Sequence, residues 1–143
     1  MTFRKLFLLA AISALLWPPL ALAQESSKQE FQQALLSVQK AHIVTGIYQA
    51  VFLEPERCAS TMGKNYSDLA DEFRRTYPEL IALVERSELL PPIKKSLDSA
   101  NASPPTMKTL FDECPRVAAM LLQFTRGEGG KEQIQQMIQT LKQ

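Results

Sequence analysis

From Gln24 onward the apolar residues recur at steps of three and four, and prolines at 55, 78, 91, 92, 104, 105 and 115 cut that pattern into stretches. Steps of three and four place apolar side chains along one face of a helix. A proline inside such a run forces a boundary or a kink, because it lacks an N–H and its ring crowds the preceding turn. No stretch alternates apolar and polar residues between hairpin turn dipeptides, and no internal repeat is evident. The pattern predicts an all-α fold, an irregular bundle of four to five helices.

The first long helix is predicted over Ser26 to Phe52, with its apolar face at 31, 34, 35, 38, 41, 44, 48, 51 and 52. Gly46 inside it costs on the order of 1 kcal/mol against Ala. Glu54-Pro55 is expected to end it, since the residue before a proline avoids the helical region. A short turn then carries Cys58 to a stop at Gly63. Asn65 or Ser67 is the expected cap of the next helix, whose stripe is Leu69, Phe73, Tyr77, Leu80 and Val84. Pro78 either kinks this helix or starts another. After a short helix through Leu97, Ser103 is expected to cap a helix that begins with proline and is kinked at Pro115. Gly127, Gly129 and Gly130 read as a flexible joint before a last amphipathic segment.

Residues 1–23 have the parts of a secretory signal peptide. Arg4 and Lys5 open it, Leu6 to Trp17 is an apolar run, and Ala21-Leu22-Ala23 offers small residues for cleavage. The run is shorter than the ~20 apolar residues a membrane span needs. Gln24, not a cysteine, stands directly after Ala23, so no lipid anchor is expected, and no second apolar segment is long enough to span a membrane. The expected organisation is a signal peptide (1–23), a helical domain (24–126) and a Gly-hinged C-terminal helix (127–143). Loss of Arg4 and Lys5 leaves one more acid than base, against a formal net charge of +1 for all 143 residues. Such a balance gives no reason to expect nucleic acid, which calls for a basic face.

Cys58 and Cys114 are the only cysteines. In an oxidising compartment an even count predicts a disulfide. The chain-entropy model gives about 4 kcal/mol for a loop of this length, a large share of a typical ~5–15 kcal/mol stability. Their separation is wrong for a C-x-x-C redox pair, and zinc would need two further ligands where His42, the single histidine, supplies at most one. A cysteine nucleophile paired with His42 has no supporting motif.

Other candidates are weaker in chemistry. His42 reads as an edge residue of the apolar face rather than a general base. Acids adjoin at Glu54/Glu56, Asp71/Glu72, Glu85/Glu88 and Asp112/Glu113, the raw material for a two-carboxylate hydrolase. Acids so placed on helices more commonly form solvated faces. Arg74-Arg75 and Lys94-Lys95 read as ordinary surface. Glu54, Glu56 and Arg57 flank Cys58 where a loop is expected, and loops concentrate binding residues. Ile134, Met137, Ile138 and Leu141 form a narrow stripe that docks on its own domain or on a partner.

These features together predict an exported, periplasmic or secreted protein that binds another periplasmic or secreted protein and uses no cofactor or metal. An immunity- or inhibitor-type protein against a secreted toxin is the most specific form of that expectation. A periplasmic chaperone or an accessory subunit of an envelope complex is the alternative, and a cell-wall hydrolase using paired carboxylates is the alternative of a different class. The oligomeric state is left open.

Overall fold

A computed structural model describes residues 19–143, with side chains from Gln24. The basic start and apolar run of the expected signal peptide lie outside the described residues. Every regular element among the described residues is helical. In order they are α1 (Pro19–Tyr48), a π-helical turn (Gln49–Leu53), α2 (Glu54–Arg57), α3 (Ala59–Met62), α4 (Lys64–Thr76), α5 (Pro78–Glu85), α6 (Leu90–Ala100), α7 (Met107–Arg126) and α8 (Gly130–Lys142). The all-α fold class holds, but the chain is divided more finely than the four to five helices expected. Prolines and single-turn helices account for the difference.

Two compact units divide at Ser37/Val38. The described part of the first is the N-terminal stretch of α1. Its side chains are exposed apart from half-buried Leu36, and Phe31 is 68% exposed. The second unit, Val38–Gln143, holds the core. Within it Val38 is 53% exposed while Val44, Ile47 and Val51 are buried. At ~100° per residue Val38 falls on the opposite side of the helix from those three. The expected single apolar face therefore fails at 31, 35 and 38.

The core gathers Val44, Ile47 and Val51 with Tyr66 and Phe73 of α4, Leu80 and Val84 of α5, Leu110 and Leu121 of α7, and Ile134 and Ile138 of α8. Burying each large side chain contributes about 1.5–3 kcal/mol. α4 packs along α7, and α8 lies against both α7 and α5. Residues 127–143 thus belong to the same compact unit as 38–126. Cys58 and Cys114 are disulfide-bonded, with Cα atoms 5.7 Å apart and both side chains fully buried. The bond fastens the junction of α2 and α3 to the middle of α7.

Pro55 does not end the helical course. The chain widens into the π turn, where the Glu54 N–H donates to the Gln49 carbonyl, and α2 restarts with Pro55 in its first turn. There a missing N–H is harmless to the new helix. It does deprive the π turn. The Ala50 carbonyl has lost Glu54 N–H to Gln49 and finds no N–H on Pro55, and the Tyr66 hydroxyl donates to it at 2.8 Å. The Val51 carbonyl, four residues before Pro55, accepts from Arg74 Nη2 at 2.7 Å.

Other local expectations are corrected. α4 starts at Lys64, directly after Gly63 at φ 58°, without a side-chain cap; the Ser67 hydroxyl instead donates to the Lys64 carbonyl. Asn65 is simply inside the helix. Thr106, not Ser103, caps α7, accepting from the Thr109 N–H, so Pro104 and Pro105 precede the helix rather than open it. Pro78 starts α5, one of the two options foreseen. The glycine joint is a tight turn: Gly129 takes φ 76°, and a Cβ on Gly130 would meet the Gln123 carbonyl oxygen at 2.5 Å.

Candidate functional site

The residues around Cys58 are not in a loop, as expected, but at the end of the π turn and in α2. Glu54 is only 2% exposed, the one buried charged residue among those described. Its Oε1 accepts from Arg57 Nη1 at 2.7 Å and Gln49 Nε2 at 3.2 Å. Its Oε2 lies 3.4 Å from Cys58 Sγ. A disulfide sulfur carries no proton, so that contact is not a hydrogen bond, and among the described residues no N–H or O–H donates to Oε2. An uncompensated buried carboxylate would be strongly destabilising; the Arg57 ion pair is what makes this one tolerable. Glu56, two residues on, is exposed.

The adjoining acids do not converge on a common space. Glu54 and Glu56 part between interior and solvent. Asp71 Oδ1 accepts from Arg74 Nη1 at 3.1 Å, while the two Glu72 carboxylate oxygens accept from Nε and Nη2 of Arg126, joining α4 to α7. The hydrogen bonds from Arg126 hold the Glu72 carboxyl below its ordinary pKa. Partial burial opposes this, and the charges of Arg126 and Arg75 add to it. Glu85, Glu88 and Asp112 are exposed and Glu113 is half-buried. His42 is exposed on α1. Beside the Glu72–Arg126 pair is an open depression of about 400 Å³, lined by Asn65, Asp68, Leu69, Glu72, Arg75, Leu122 and Arg126. Both signs of charge rim it.

The expected C-terminal stripe is divided. Ile134 and Ile138 are buried in the core, and Met137 and Leu141 are half-buried against it. The outer side of α7, which sequence reasoning did not single out, is the more accessible apolar surface in the second unit. Met107 is 52%, Phe111 59% and Leu122 42% exposed, with Pro115 exposed between them. The inner side of the same helix is fixed into the core by Leu110, Cys114, Ala118 and Leu121. The signal was present in the sequence: residues 107, 111, 115 and 122 repeat at helical steps beside the stripe 110, 114, 118 and 121. One helix carries two neighbouring apolar stripes, and only one has a partner within the unit.

Comparison with known proteins adds no relative: no family model, no curated protein and no solved structure matches the chain. No helix among the described residues is long and apolar enough to cross a membrane.

Proposed function

We propose that the chain is an exported protein that works by binding another protein through the outer side of α7. The observation that carries this reading is the exposed Met107, Phe111 and Leu122 stripe on a helix whose neighbouring stripe is held by core packing and a disulfide. Aromatic and aliphatic side chains on a rigid element lose little freedom on docking, which is what makes good binding anchors. A disulfide is also what an oxidising compartment outside the cytosol favours. A toxin-neutralising, immunity-type role suits a small rigid helical unit. A chaperone or envelope-complex subunit uses the same face on a different partner. The pairing of Glu54, Asp71 and Glu72 with arginines favours binding over two-carboxylate hydrolysis.

The test is affinity capture from extract of the native cells with wild-type chain, Phe111→Glu, Leu122→Glu and, as a control on α5, Glu85→Lys. The reading expects one stoichiometric partner held by wild type and Glu85→Lys and lost by both α7 variants. Equal capture by wild type and all three variants overturns it.

A further inference from the structure

The geometry points to a second state of the Glu54–disulfide cluster: in its dithiol form, Cys58, Cys114 and Glu54 make a buried site for a thiophilic divalent cation such as zinc. In the disulfide form, where two of the three ligand atoms are the bonded sulfurs, the ligand atoms all lie within 4.8 Å of one another and all three side chains are buried, so reduction has only to part the sulfurs. Sequence spacing alone finds two sulfurs and no third ligand, because Glu54 enters only through the path of the π turn and α2. The carboxylate oxygen nearest the sulfurs, Oε2, receives no N–H or O–H from the described residues, while Oε1 is held by Arg57 and Gln49. Zinc–sulfur and zinc–carboxylate bonds near 2.3 and 2.0–2.2 Å give a tetrahedral edge of roughly 3.5 Å between the two ligand atoms. The separation of Glu54 Oε2 from Cys58 Sγ is 3.4 Å.

Charge favours the same assignment. Two thiolates and one carboxylate carry three negative charges, and a divalent cation with the Arg57 guanidinium carries three positive. A neutral cluster is what a buried site needs. Arg57, bonded to the far carboxylate oxygen, orients the ligand in the way outer partners of metal ligands do. The chemistry balances in two steps. A dithiol reductant gives two electrons and two protons to the Cys58–Cys114 bond and becomes a disulfide itself. The cation then binds both sulfurs and releases two protons to solvent. Three protein donors leave one position of a four-coordinate ion for an external ligand. The ion would hold α2 to α7 when the disulfide no longer does.

The experiment uses the full chain, reduced by a phosphine, with two free thiols per chain confirmed by titration, and Co²⁺ as the probe without oxygen. The expected result is one Co²⁺ per chain, with thiolate-to-cobalt charge transfer and intense tetrahedral d–d bands, both removed by one equivalent of Zn²⁺. The disulfide form gives neither band. Glu54→Gln weakens binding by on the order of tenfold or more, and the Cys58→Ser, Cys114→Ser double variant abolishes it, with helical circular dichroism retained in each. Absence of charge transfer in the reduced chain overturns the site. So does unchanged affinity in Glu54→Gln, or cobalt binding that accompanies loss of helix.

Discussion

The Tyr66 hydroxyl donates to the Ala50 carbonyl across 2.8 Å, closing from α4 a gap that Pro55 opens in the π turn. Tyr66 is fully buried, so no solvent replaces it there. Replacement by Phe preserves the ring packing and leaves a buried carbonyl without a donor. The expected cost of Tyr66→Phe is about 1–3 kcal/mol, read as a lower urea midpoint at unchanged slope.

The same residue sets an alkaline limit. Burial pushes the Tyr66 hydroxyl far above its ordinary pKa, with the charge of Glu54 acting in the same direction. Tyr77, whose hydroxyl donates to the Phe124 carbonyl at 2.6 Å, is raised by burial and then by Glu132. The unfolded chain ionises its tyrosines near pH 10, while the native state keeps these protons. Stability is therefore intact below roughly pH 10 and falls as the pH climbs from there. Urea midpoints measured up the alkaline limb are expected to drop steeply in wild type and less steeply in Tyr66→Phe.

Glu72 works in the opposite direction. Its carboxyl is held low by Arg126, so the native state sheds a proton that the unfolded chain keeps near its ordinary value, about 4.3. The stabilisation is present above that pH and disappears as the pH falls through the lower native value. Glu72→Gln is expected to be less stable than wild type at neutral pH, with the two denaturation curves converging in acid.

Two glycines on helices should respond with opposite signs. A Cβ on Gly46 meets nothing within 4 Å, so Gly46→Ala is expected to stabilise by about 0.5–1 kcal/mol through helix propensity. Gly130→Ala would press a methyl onto backbone oxygens of Gln123 and Phe124 at 2.5 and 2.6 Å. It should destabilise, because α8 must move off α7. Thermal melts of the two variants give the comparison.

Much of the fold was legible because it follows from local chemistry. Periodicity gave helices, an even cysteine count gave the Cys58–Cys114 bond, and Pro78 marked a helix start. What was not legible depends on which surfaces meet. Phe31, Leu35 and Val38 have helical spacing as good as that of Val44, Ile47 and Val51, yet only the latter are buried. The expected cap at Ser103 lost to Thr106 because the two prolines lie outside the helix. The narrow stripe through Ile134 and Ile138 points first to its own domain and second to a partner, and periodicity alone does not choose between them. The loop expected around Glu54 is instead a π turn that spacing rules do not encode, and that turn sets its position against the disulfide.

Photo-crosslinking in living cells tests the binding account most directly, with a photoreactive residue placed singly at 111, 122, 85 or 95 in the full chain. The account predicts that positions 111 and 122 label the same partner protein and that 85 and 95 label none. Labelling of that partner from 85 and 95 alone, or no labelling from the α7 positions, contradicts it.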